Sequence, residues 1–194
     1  MSEINFKIGF WHPFGPHGYK ENGEVESREE IIDRKEKEIK KNKGWTLWAF
    51  SEKRDETINQ WRKEIGKNKR VFVLCSDSKT TKNPTGDCLY AKYLIENGKP
   101  QEISKKIKVS FFGKKESACA FKVKAVYKPE MIKIPNNIKW FKTTSGEWKD
   151  GSSPSFGGLP TISESLIKSG GKSKLRKVFL VLELEYPYVV KIKK

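Results

Sequence analysis

Two runs of this sequence alternate apolar and charged residues with period two. "CAFKVKAVYK" (Cys119–Lys128) sets Phe121, Val123, Ala125 and Tyr127 against Lys122, Lys124 and Lys128. "KVFLVLELEY" (Lys177–Tyr186) sets Val178, Leu180, Leu182 and Leu184 against Glu183 and Glu185. Successive side chains of a strand point to opposite faces, so each run predicts a strand buried on one side. "CLYAKYLI" (Cys88–Ile95) and "KIKVSFF" (Lys106–Phe112) are strand-like as well. A chain with these four runs has to be built on a sheet.

The first half adds strands and helices in turn. "NFKIGFW" (Asn5–Trp11) predicts a first strand, followed by a Gly/Pro-rich loop reaching about Val25. "ESREEIIDRKEKEIKKNKG" (Glu26–Gly44) predicts a helix with clean ends. Ser27 and Glu30 have the spacing of a capping box, and Gly44 stops the helix after a lysine-rich turn. Its apolar face, Ile31, Ile32 and Ile39, is thin, which predicts a surface position. "WTLWAF" (Trp45–Phe50) is apolar on both faces, as in a strand covered on both sides. "DETINQWRKEIGKN" (Asp55–Asn68) predicts a second helix, and "RVFVLCSDS" (Arg70–Ser78) a buried strand with a small polar end. The order strand, helix, strand predicts a parallel pair with a right-handed crossover. Residues 136–174 read as irregular, with one short helix near Ser163–Lys168. The expected fold class is α+β: one domain over residues 1–194, a curved mixed sheet or small β-barrel of about six strands flanked by two or three helices.

Composition narrows the function. The net charge is +16, from 40 basic and 24 acidic residues. A surplus of that size points to a polyanionic partner, nucleic acid first. The six Trp, eleven Phe and six Tyr supply bulk for a core and argue against disorder. Cys75, Cys88 and Cys119 lie far apart with no CxxC pair, so neither a disulfide scaffold nor a zinc ribbon is expected. No signal peptide and no bilayer-length apolar run is present, so a cytoplasmic, non-membrane protein is expected. The closing "VVKIKK" has no evident stop, and the chain is compatible with being part of a larger protein or complex.

The densest chemistry lies in "IGFWHPFGPHGYK" (Ile8–Lys20), which holds both histidines. His12 and His17 are five apart, not the i, i+4 spacing of a helical zinc site, so no metal and no cofactor is expected. Phosphate-loop and nucleophile-elbow motifs are absent. Cys75 sits within a buried strand and reads as packing. No residue is assigned a catalytic role. The rival reading is an enzyme acting on nucleic acid or nucleotides, with His12, His17 and Asp77 as its candidates. The aromatic pattern is more informative. Trp48 and Phe50 share one face of "WTLWAF", and Trp11 and His12 end the neighbouring predicted strand. Trp140 and Trp148 stand among Lys139, Lys142 and Lys149. Rings stack on exposed bases while lysines follow phosphates. Ser76 and Asp77 could read a base edge. Lys122, Lys124, Lys142, Lys149, Lys172, Lys174, Arg176 and Lys177 are the expected phosphate contacts, the last four from the small, cationic "SGGKSKLRK" (Ser169–Lys177).

"KRVFVLCSDS" (Lys69–Ser78) and "AFKVKAVYKPE" (Ala120–Glu130) resemble paired strands of the PUA-like superfamily, which includes the EVE, YTH and ASCH domains. The resemblance implies a small barrel that binds RNA or modified DNA, with Ser76 bordering a pocket for one base. It also implies a role as the specificity domain of a modification-dependent restriction system. The Gly-Asp that usually precedes the first of these strands is missing. The expectation is a non-catalytic nucleic-acid-binding module that holds the backbone with lysines and flips one base into a pocket of Trp11, His12, Trp48, Phe50, Ser76, Asp77, Trp140 and Trp148. The partner is DNA or RNA.

Overall fold

The computed structural model describes residues 4–5, 8–14, 20, 22–50, 62–63, 65–67, 69–77, 86–96, 98–112, 116–128, 132–133, 139–142, 147–150, 165–169, 172–176 and 178–194. In chain order the elements are β1 (Ile4–Asn5), β2 (Ile8–Phe14), α1 (Arg28–Lys41), β3 (Thr46–Phe50), β4 (Val71–Asp77), β5 (Gly86–Glu96) and β6 (Lys99–Phe112). They continue with β7 (Ser117–Tyr127), β8 (Ile132–Lys133), β9 (Lys139–Lys142), β10 (Glu147–Asp150), β11 (Ser165–Ser169), β12 (Lys172–Arg176) and β13 (Val178–Lys193). The protein is α+β and mostly sheet, with parallel and antiparallel pairings mixed. No helix among the described residues is long and apolar enough to cross a membrane.

The chain forms two compact units. The first comprises Met1–Phe14, Arg70–Ser78 and Val126–Glu183. Its strand order is β10-β9-β2-β4-β13, with β2 parallel to both β9 and β4. β1 pairs with β8, and β11 with β12, as separate small sheets. Phe10, Trp11, the whole run Val71–Cys75 and Leu180–Leu182 are buried. The predicted first strand is displaced: β2 runs on through His12 and Pro13 to Phe14. Among the described residues β9 pairs with β2 only as far as Trp11, so there Pro13 has a strand partner on one side, the setting a strand proline requires. Glu183 is not on an outward polar face, as its alternation predicts. It is buried, takes a bidentate contact from Arg70 (Nε 2.8 Å, Nη2 3.0 Å), and accepts from the Tyr127 hydroxyl at 2.8 Å. Its own hydrogen bonds to Glu183, against the opposing effect of burial, hold the Arg70 guanidinium above its usual range.

The second unit comprises Gly15–Lys69, Lys79–Ala125 and Leu184–Lys194. Its strand order is β3-β7-β13-β5-β6. All five strands contribute a pair of residues to one apolar cluster: Leu47 and Ala49, Ala118 and Ala120, Val190 and Ile192, Ala91 and Leu94, Ile107 and Val109. β3 and β6, the ends of that order, approach one another, but no pairing among the described residues joins them, so the sheet is open. β3 is buried along its whole length, as its two-faced apolar pattern predicts. It pairs antiparallel with β7 and not with β4. The expected parallel crossover from β3 to β4 therefore does not form; the parallel partner of β4 is β2.

Two further expectations are corrected. The short helix near Ser163–Lys168 is instead β11, hairpin-paired to β12 with only Gly170 and Gly171 between the paired ends Ser169 and Lys172. Gly-Gly is a common sequence for a two-residue hairpin connection. β6 begins at Lys99, not Lys106, and Lys99 is the register partner of Glu96 at the end of β5; Gly98 has φ +76°. Of the second predicted helix, Arg62, Lys63 and Ile65 are helical, and the Gly66 N–H donates to the Arg62 carbonyl at 3.1 Å. Gly66 and Lys67, within the predicted span, are not helical, and the rest of that span lies outside the described residues.

Helix α1 starts and stops as its sequence predicts. Ser27 Oγ accepts from the Glu30 N–H at 3.2 Å, and Glu30 accepts from the Ser27 N–H at 2.8 Å. At the other end the Gly44 N–H reaches the Ile39 carbonyl at 3.0 Å, with Lys43 and Gly44 both at positive φ. Its docking is not read from its thin apolar face. Lys35 is buried and donates to Glu38 at 2.8 Å and to the Lys108 carbonyl at 2.6 Å. Glu38 also accepts from the Thr46 hydroxyl (2.5 Å), Arg34 (3.1 Å) and the Lys108 N–H (3.1 Å). Arg34 in turn forks onto Glu26 at 2.7 and 2.8 Å. The helix thereby satisfies backbone groups of the edge strand β6 and grips the start of β3, which blunts an exposed sheet edge.

Burial alone would push the Glu38 carboxyl up, but the Lys35 charge, hydrogen bonds from Lys35 and Thr46, and the Arg34 charge hold it below its usual 4.5. A carboxyl lowered on folding stabilises the protein above its unfolded value, and this is lost as pH falls through the folded value. Glu38→Gln is therefore expected to cost about 3 kcal/mol at neutral pH, with the deficit shrinking as the pH falls below 4.5. Urea unfolding across pH 3–7 by circular dichroism checks both.

Tyr188 plays a similar part within β13. It is 1% exposed, stands at φ +68°, and its hydroxyl lies 2.7 Å from the Gly66 carbonyl, with those of Lys69 and Lys67 at 3.1 and 3.3 Å. One proton thus serves a cluster of carbonyls just past the helical turn. Tyr188→Phe is expected to lower stability by about 1–2 kcal/mol without changing the fold, measured by the same unfolding assay.

Candidate nucleic-acid interface

In the first unit the register of β2 with its neighbours sorts the predicted site residues. Trp11 lies opposite Leu74 on β4 and Lys142 on β9. Gly9, two positions earlier, lies opposite Phe72 and Trp140, and Trp140 in turn lies opposite Lys149 on β10. Pro13, two positions later, lies opposite Ser76. Strand alternation therefore places positions 11, 76, 140, 142 and 149 on one face of this sheet. Tryptophan and lysine positions alternate across it as cross-strand pairs: Trp11 with Lys142, and Trp140 with Lys149. Trp11 itself is 6% exposed.

The opposite face carries position 12, opposite Cys75, with position 77 opposite Phe14, and position 148 opposite Phe141, which pairs with Phe10. His12 and Asp77 are thus diagonal neighbours at the carboxyl ends of two parallel strands. His12 is partly buried. Cys75 between them is fully buried, and burial pushes its thiol far up, so it is not poised as a nucleophile. Among the described residues, no three His, Cys, Asp or Glu side chains gather as a metal site.

Trp48 and Phe50 belong to the second unit. They are 4% and 6% exposed, on the face of β3 opposite Leu47 and Ala49; Trp48 is in register with Phe121, on which the Phe50 ring stacks at 4.4 Å. The predicted pocket set is therefore distributed over both faces of one sheet and a strand of the other unit. Of the expected phosphate contacts, Lys122 is drawn inward. Its side chain is 14% exposed, 5.0 Å over the Trp45 ring and 3.6 Å from Glu185. Lys124 is exposed. Lys172, Lys174 and Arg176 lie along β12. His17 and Lys177 lie outside the described residues.

The second unit also exposes an aromatic face that the sequence reading passed over. On β5, Ala91 and Leu94 are both buried although three apart. The register with β6 shifts between Ala91 and Tyr93, and this irregularity leaves Tyr90, Lys92 and Tyr93 all exposed. Lys106 stands 5.7 Å over the Tyr90 ring. The signal available in the sequence was "YAKY", two tyrosines flanking a lysine, which periodicity alone assigns to core and rim.

No known family, curated protein or solved structure matches the chain.

The burial of Cys75 gives a direct check of this geometry. In the folded protein at neutral pH, Cys75 is expected to react with N-ethylmaleimide about a hundredfold or more slowly than in the unfolded chain. Peptide mass spectrometry of timed samples reads the rate at that residue.

Proposed function

We propose that this protein is a non-catalytic nucleic-acid-binding module that follows the phosphate backbone with lysines and engages bases with aromatic rings. The observation that carries the reading is the alternation of Trp11, Lys142, Trp140 and Lys149 on one face of the first unit's sheet. Charge supports it. The net charge is +16, and acids such as Glu26, Glu30, Glu38 and Glu183 are engaged in ion pairs within the protein. Lys37, Lys40, Lys43, Lys92, Lys99 and Lys193 are exposed. A field of that sign attracts a polyanion without requiring sequence readout. The single cluster drawn from five strands of the second unit supports the small barrel implied by the PUA-like resemblance, although the hydrogen-bonded order is open. In this proposal a flipped, modified base is the ligand that Trp11, Trp140 and Ser76 would admit, as a restriction-system specificity domain would require.

Binding is tested by fluorescence anisotropy with single- and double-stranded DNA and RNA, with and without 5-methylcytosine or N6-methyladenine. Affinity is expected to fall steeply with salt. The joint change Lys142→Ala and Lys149→Ala is expected to flatten the log–log salt slope by about 0.7–0.9 per lysine in contact. An unchanged slope removes this face from the interface, and no binding at low salt removes the function.

The diagonal placement of His12 and Asp77 supports a second reading, an enzyme acting on nucleic acid or nucleotides. It requires turnover of an oligonucleotide or nucleotide that is lost in His12→Asn while binding persists.

A further inference from the structure

From the second unit we infer that the outer face of the β5–β6 hairpin is a stacking platform for single-stranded nucleic acid. The inference rests on the nucleic-acid reading above and names both a surface and a substrate class for it. Tyr90 and Tyr93 are 42% and 39% exposed, among the few large hydrophobic residues that the described chain leaves to solvent. They lie three residues apart, roughly 10 Å along the strand at about 3.3 Å per residue, so each ring can take a different base.

The rings are surrounded by cations. Lys92 lies between them in sequence and is exposed. Lys106 sits over Tyr90, and Lys108 is the register partner of Tyr90. Tyr93 has Lys193 opposite it on β13 and Glu102 opposite it on β6. Glu102 is the one acid in register with either ring. A tyrosine on an open sheet face offers a flat apolar surface at low entropic cost, and lysines on either side track phosphates. Such a face can stack only on a base whose own face is open, which a duplex does not provide. The platform is rigid: the irregularity that exposes Tyr93 is set by pairing on both sides, and α1 fastens the far edge of β6 at Lys108.

The test uses the full chain and fluorescein-labelled dT12 and U12, with a 12-bp duplex for comparison, by anisotropy at low salt. The double variant Tyr90→Ala, Tyr93→Ala is expected to bind the single strands about 10-fold or more weakly. Its affinity for the duplex is expected to change by less than about 2-fold. Tyr90→Phe with Tyr93→Phe is expected to bind as wild type, because stacking needs the ring and not the hydroxyl. Tyr186→Ala, at another exposed tyrosine with Lys67 5.6 Å from its ring, is the control and is expected to change nothing. If wild type binds single strands and the alanine double variant binds them equally well, the platform is overturned while the nucleic-acid reading stands. Equal losses on duplex and single strands, or an equal loss in Tyr186→Ala, also overturn the platform. If wild type binds none of the three probes, both the platform and the nucleic-acid reading fall.

Discussion

One carboxylate organises the second unit. Glu38 is reached by a lysine, an arginine, a threonine and a backbone amide that belong to three different elements. A helix with so few apolar residues on its inner face gains little from hydrophobic burial. Its position is set instead by charge-assisted hydrogen bonds, which are directional and fail sharply when one member is lost. Those same bonds occupy the outer edge of β6 at Lys108, so the edge of the sheet and the seat of the helix are one device. The five-strand apolar cluster then has a fixed rim to pack within.

The first unit repeats the principle on a smaller scale. Glu183 is buried and would be costly there without partners, and Arg70 and Tyr127 supply them from two other strands' ends. The fork from Arg70 stands directly before β4, the strand whose first five residues are all buried. It therefore anchors the start of the strand that pairs with β2, and β2 carries Trp11 and His12. In both units a paired acid, Glu183 buried and Glu38 partly buried, fixes an element that bears a candidate functional residue.

Local signals were legible and long-range pairings were not. The capping box of Ser27 and Glu30 and the stop at Gly44 are written in neighbouring residues, and the structure has both. The two-faced pattern of Thr46–Phe50 correctly marks a strand covered on both sides, but nothing local says that its partner is β7. "Strand, helix, strand" predicts a crossover only if strands adjacent in sequence are adjacent in the sheet, and β3 and β4 are not paired. β9 and β10 are four residues each, too short for alternation to stand out from the surrounding glycine and serine. The sequence pair Gly170–Gly171 is a stronger signal than the helical propensity of Ser163–Lys168 beside it. The candidate site was half legible for the same reason. Trp11, Trp140, Lys142 and Lys149 were singled out by residue type, and only the register brings them to one face. Tyr90 and Tyr93 were missed because the irregularity that exposes them is a property of the pairing and not of the residues.

The proposed single-strand binding rests on exposed lysines, on acids such as Glu26, Glu38 and Glu183 tied into ion pairs, and on aromatic positions set among the lysines. The most direct measurement of that claim is photo-crosslinking of the full chain to a 4-thiouridine-containing U12, with the attached residues located by mass spectrometry. The account expects cross-links in the peptides bearing Tyr90 and Tyr93, and in those bearing Trp140 or Lys142, all suppressed by unlabelled U12. Absence of any cross-link, or cross-links confined to peptides of α1 and the β11–β12 hairpin, would contradict it.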